Sequence, residues 1–164
     1  KLTGEYYCKV FQKMYDLNYS IVRLSNSYGP HDPPGKYRNV IPNFIDAALK
    51  NKNIIITGTG NETRDFTYVD DTTDGILLSA IKKNGKNQIF NLGTGKETKI
   101  RTIAELIIKH TKSKSKIVYK KRRSFDPISR RRMNINKASN QINYHPKIDI
   151  SVGIEKTCKW FLEK

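Results

Sequence analysis

Acidic residues are scarce in this chain, and so are cysteine, histidine and long apolar runs. Each scarcity excludes something. The two cysteines, Cys8 and Cys158, stand far apart without Cys-x-x-Cys spacing. That excludes a disulfide framework and reads them as reduced core residues of a cytoplasmic protein. His31, His110 and His145 are scattered, which argues against a zinc site. No stretch approaches the ~20 apolar residues of a helical membrane span. The 15 acidic residues face 31 basic ones, leaving a net charge of +16. Such a charge admits a nucleic-acid-binding module, but the cations are spread out, apart from KKRR at 120–123 and RRR at 130–132. Lys, Ile and Asn, residue types with A/T-only codons, number 22, 20 and 14 of the 164 residues, so codon bias accounts for much of the excess. A solvated basic surface suited to an anionic small molecule is the plainer reading.

What is present is alternation. The chain opens KLTGEYYCKVF, without methionine, directly in helical periodicity. Leu2, Tyr6, Val10 and Met14, with Tyr7 and Phe11 beside them, predict one buried helix face. Strands are expected at 19–25, 53–57, 64–69, 88–93 and 116–121. Helices are expected from Val40 to Leu49, from a cap at Asp70 or Asp71, from Ile100, near 136–142, and from Ile150 onward. NSYGP at 26–30 reads as a turn. Strands alternating with helices predict an α/β fold with mostly parallel pairing. Two long buried strands make an unusually small parallel sheet, so the sheet reads as incomplete.

Chemistry-bearing residues cluster just past the strand ends, where open α/β sheets bind ligands. Asn26 suits either a phosphate or sugar contact or the capping of the NSYGP turn. Arg64, flanked by Asp65, suits either a ligand or an ordinary surface pair. Arg122 and Arg123 have forks matched to a diphosphate, and Asp126 is a carboxylate suited to ribose hydroxyls. The GTG turns at 58–60 and 93–95 are phosphate-loop candidates or plain strand-to-helix turns.

The order KLTGEYYCKVF, RLSNSYGP, GTGNETRDFTYVDD, FNLGTGKETKI, RRSFDP, NINKA resembles the C-terminal half of the extended short-chain dehydrogenase/reductases. It is most similar to the NAD-dependent nucleotide-sugar epimerases and dehydratases of the UDP-glucose 4-epimerase type, over essentially all 164 residues. The resemblance implies a Rossmann-type NAD-binding part, 1–26 with 64–92, and a smaller mixed α/β nucleotide-sugar-binding part, 27–63 with 93–164. It implies a 4-epimerase of UDP-sugars working through a 4-keto intermediate, with 4,6-dehydratase or decarboxylase as the alternative. Lys1 matches the lysine of a Tyr-x-x-x-Lys pair whose tyrosine would lie upstream, so the chain reads as beginning in mid-enzyme, alone inactive. Ser25 and Tyr28, with Lys1, fall beside the nicotinamide. Asn26, Arg64 and Arg123 fall on the diphosphate, Asp126 on the nucleoside ribose, Asn39 and Val40 beside the nucleotide, and Ile55 and Thr57 along the base. Thr57, where an aromatic residue can stand, and Phe125, in place of a common glycine, depart from the pattern. NAD as cofactor, a homodimer, and neither nucleic acid nor membrane as partner complete the expectation.

Overall fold

The computed structural model describes residues 1–36, 39–122 and 128–163. Helix α1 (Leu2–Tyr15) leads to β1 (Ser20–Leu24), which lies parallel to β6 (Gln88–Leu92) with Val22 beside Phe90. Beyond Leu24 the chain does not turn as NSYGP predicts. It continues as β2 (Asn26–Tyr28), now parallel to β5 (Phe66–Tyr68). The reason is burial. Tyr28 is 3% exposed and meets the rings of Phe66 and Tyr68 edge-on. An aromatic ring committed to the core outweighs local turn chemistry.

The change of partner happens at Ser25. Its amide donates to the Leu92 carbonyl at 2.9 Å, while the next amide, Asn26, donates to the Asp65 carbonyl at 3.1 Å. The chain therefore changes partner from β6 to β5 just past the end of β1, the region where open α/β sheets take ligands.

Strand β3 (Ile54–Thr57) pairs in parallel with β8 (Ile117–Lys120). Its period of two buries Ile54 and Ile56 and turns Ile55 and Thr57 outward. The expected strand at 64–69 is divided at Asp65: β4 (Thr63–Arg64) pairs antiparallel with β7 (Thr98–Lys99), and β5 follows. Helices α2 (Val40–Leu49), α4 (Ile100–Thr111) and α6 (Ile150–Leu162) close the larger core, into which α2 sends Ile41, Phe44, Ile45 and Ala48. Pro42 is tolerated in the first turn of α2, where no amide partner is required. A smaller core joins Phe90 and Leu92 to α5 (Asn136–Ile142) and Tyr144.

Three expectations need correction. Helix α3 (Val69–Ile81) is not capped by Asp70 or Asp71; Tyr68 stands at the cap, without a side-chain bond. Asp71 lies in the first turn, buried, and accepts from the amides of Lys147 and Ile148 at 2.9 Å each. Cys8 is half-buried, whereas Cys158 lies in the core, where burial pushes its thiol up to about 12. The predicted face of α1 is not covered among the described residues: Leu2, Tyr6, Val10 and Met14 are 62%, 58%, 45% and 64% exposed. Glu5, Cys8 and Gln12 form the half-buried side of α1, and Arg23 of β1 forks onto Glu5 at 2.7 and 2.6 Å.

Candidate functional site

Beside β2 lies a cavity of about 360 Å³. Its apolar wall is Val40 and Phe44 of α2, Ile55 and Ile56 of β3, Phe66 and Ile100. Asn26, Asn39, Asn43 and Thr57 supply neutral polar groups. Three cations, Lys36, Arg64 and Arg122, reach it together with one carboxylate, Glu62. The lining thus carries a net of two positive charges, the complement of a diphosphate.

Each polar group is held by the local fold. Asn26 donates through Nδ2 to the Asp65 carbonyl at 3.1 Å, a bond across the β2–β5 ladder. Arg64 donates to the Thr63 and Ser129 carbonyls at 2.8 and 3.4 Å. Segment 128–133 runs back beside β4, with the Thr63 amide on the Ser129 carbonyl at 2.8 Å and the Arg131 amide on the Thr63 carbonyl at 3.2 Å. Asn43 ties the preceding loop to α2 through both the amide and the carbonyl of Gly35, at 2.8 and 3.1 Å. Ile55, Ile56 and Thr57 all reach the cavity, which lies along the C-terminal end of β3.

The two GTG turns are not open phosphate loops. In the first, Glu62 takes the amides of Thr59 and Gly60 at 3.1 and 2.8 Å. Burial alone would raise the Glu62 carboxyl. Bonds from its own amide and those of Thr59 and Gly60, with the charge of Arg122, instead bring it below the ordinary carboxylate value. In the second turn, Asp65 takes the amides of Thr94 and Gly95, both at 2.9 Å. An internal carboxylate thus fills each nest of amides, where a phosphate would otherwise sit. The Arg64–Asp65 surface pair is also absent among the described contacts, since Asp65 turns inward at 2% exposure.

Of the residues singled out from the sequence, Asn26, Asn39, Val40, Ile55, Thr57, Arg64 and Arg122 meet in the cavity. Arg123 and Asp126 lie outside the described residues. Ser25, Tyr28 and Lys1 do not line the cavity. The Ser25 hydroxyl shares a hydrogen with that of Thr67 at 2.6 Å, beside the β1–β2 junction. Tyr28 keeps its ring in the core and its hydroxyl toward the Ile150 carbonyl. Lys1 stands at the N-terminus of α1, exposed. Lys36, Asn43 and Glu62 belong to the cavity although nothing in their local sequence distinguishes them. Among the described residues no group of His, Cys, Asp and Glu could hold a metal ion.

The family model described as NAD dependent epimerase/dehydratase family matches residues 1–93. Among solved structures, an epimerase of Methanothermobacter thermautotrophicus superposes with a TM-score of 0.96 at 36% identity, over 99% of this chain and 48% of that one. A UDP-glucose 4-epimerase of Thermotoga maritima, solved with UDP-glucose, gives 0.93 at 31% identity, over 99% and 52%. A UDP-N-acetyl-alpha-D-glucosaminuronate decarboxylase of Bacillus cytotoxicus is 33% identical over 95% of this chain and 52% of its own length. The chain spans about half the length of the relatives it matches. Fold, motif order and family match agree: the chain belongs to the NAD dependent epimerase/dehydratase family.

Proposed function

We propose that the chain is the nucleotide-sugar-binding portion of an NAD-dependent epimerase acting at C4 of a UDP-sugar. The observation that carries this reading is the cavity itself. Asn26, Arg64 and Arg122 converge beside the apolar wall of Val40, Phe44 and Ile55, which suits a charged diphosphate joined to a flat base. The Thermotoga relative, solved with UDP-glucose, supports the ligand class. The decarboxylase relative supports decarboxylation as the second reading for the whole protein.

The residues present suit one end of NAD. With both GTG nests filled by Glu62 and Asp65, the described residues offer no glycine turn for its pyrophosphate, which we assign to a segment preceding Lys1. Lys1 would hold the nicotinamide ribose, and Ser25 and the Tyr28 backbone would border the ring. Bound NAD⁺ supplies the chemistry of accepting and returning the C4 hydride. Lys1 would also lower the pKa of an upstream tyrosine by charge proximity, so that it takes the C4 hydroxyl proton near neutral pH. Arg123 and Asp126 are proposed for the diphosphate and the ribose, completing the cradle begun by Arg64 and Asn26. We assign 1–26 with 64–92 to the cofactor part and 27–63 with 93–164 to the sugar part, in a cytoplasmic homodimer.

The test uses the full-length protein. UDP-glucose should bind, and the C4 epimer should form with NAD retained. Release of CO₂ from a UDP-uronic acid without epimer formation would select the decarboxylase reading. Absence of UDP-sugar binding would reject both.

A further inference from the structure

Asp65 is the most deeply buried carboxylate among the described residues, at 2% exposure, yet it does not line the cavity. Its Oδ1 accepts from the amide and hydroxyl of Thr94 at 2.9 and 2.7 Å. Its Oδ2 accepts from the amides of Gly95 and Met133 at 2.9 and 3.2 Å. A buried charge is tolerated only when satisfied in this way, and here both oxygens are. Glycine at 93 makes the approach possible, because a Cβ there would lie 2.8 Å from Oδ2 and 2.9 Å from the Met133 Cβ. Gly95, at φ +70, supplies the left-handed turn that aims its amide inward.

The main chain of Asp65 does the rest. Its carbonyl accepts from both the amide and the Nδ2 of Asn26, each at 3.1 Å. That fixes the Asn26 side chain by one of its two N–H groups and leaves its carbonyl oxygen and second N–H for the cavity. Arg64 is the preceding residue, and Met133 closes the segment that runs back beside β4. One residue therefore ties together β2, β4, the turn at 93–95 and segment 128–133.

We propose that Asp65 is the positioning residue of the diphosphate site: its carboxylate anchors the strand break that sets Asn26 and Arg64 at the ligand. This inference rests on the nucleotide-sugar reading. It does not make Asp65 a ligand contact. Its effect on affinity passes through Asn26 and Arg64.

The experiment measures UDP and NAD binding by calorimetry on the full-length protein. Asp65→Asn presents an NH₂ to amides that now donate, and should raise the Kd for UDP about tenfold or more while NAD affinity stays within about twofold. Thr94→Val removes one donor and should weaken UDP less; Thr94→Ser restores the hydroxyl and should restore binding. The double variant Asp65→Asn/Asn26→Ala should lose less than the two single losses together, because both act on one contact. A purely structural role would give additive losses, or equal losses for UDP and NAD, and either result overturns the proposal. Unchanged UDP affinity in Asp65→Asn also overturns it and leaves the nucleotide-sugar reading standing. If Asp65→Asn does not fold, Thr94→Val decides: weaker UDP binding, rescued by serine, supports the proposal, and unchanged binding overturns it. Failure of the unsubstituted protein to bind UDP overturns the underlying reading and this inference with it.

Discussion

Arg64, on β4, and Glu97, just before β7, show how differently two neighbouring charged residues are used. Arg64 lines the cavity, where the main-chain carbonyls of Thr63 and Ser129 aim its guanidinium. Arg64→Ala should weaken UDP binding by ~1.5–3 kcal/mol, the scale of a hydrogen bond to a charged group, with NAD affinity unchanged. Calorimetry checks this, and equal losses for both ligands would count against the assignment. Glu97 instead closes a local ion pair. The fork of Arg130, then the hydroxyl of Thr63, hold its carboxyl at about 2, against an ordinary 4.5. Because the folded value is the lower one, the contribution to stability is complete above pH 4.5. It is lost as the pH falls toward 2, since the unfolded chain takes up its proton first. The Arg130 side chain is open to solvent and that of Glu97 is only partly covered, so the effect is modest and screened by salt. Glu97→Gln should flatten the fall of unfolding free energy over that pH window, measured by urea titration at each pH.

At the scale of elements, the helices differ in what they do with an apolar face. Helix α6 packs so closely on β2 that a Cβ at Gly153 would run into the Tyr28 hydroxyl and lie 3.1 Å from the Tyr68 ring. Gly153→Ala should gain a little helix propensity and lose more to overpacking, a net destabilisation of about 1–3 kcal/mol. A lower midpoint in chemical denaturation at unchanged slope checks this. Helix α1 is the opposite case: Tyr6, Tyr7, Val10, Phe11 and Tyr15 are all at least 45% exposed. Aromatic residues gathered on one exposed helix mark a contact surface. In the full-length protein Lys1→Met, at the start of that helix, should cut kcat and move the rate–pH profile to higher pH. An unchanged profile would remove Lys1 from its assigned role.

At the scale of the whole molecule, α3 also exposes apolar residues, Ile76, Leu77 and Ile81. In the proposed homodimer, the exposed aromatic face of α1 would meet the second subunit. Phe11→Asp in the full-length protein should therefore shift sedimentation from dimer toward monomer. An unchanged dimer would place the subunit interface elsewhere. The net charge of +16 is spread over the surface, and the cavity holds three of those cations beside Glu62.

The sequence by itself determined the alternation of strands and helices, the parallel pairing and the family. These rest on periodicity, turn chemistry and motif order, all local in the chain. It also marked seven residues that meet in the cavity, because α/β strands deliver side chains past their ends. Only the tertiary structure decided that NSYGP continues as β2, since the core that recruits Tyr28 comes from Phe66, Tyr68 and α6. It decided, too, that Asp71 binds the amides of residues 147 and 148 rather than capping α3. Both GTG turns look like phosphate loops in sequence because glycine spacing reports backbone freedom alone. Which anion fills the nest depends on what folds against it, and here the fillers are Glu62, two residues beyond the first turn, and Asp65, about thirty residues before the second.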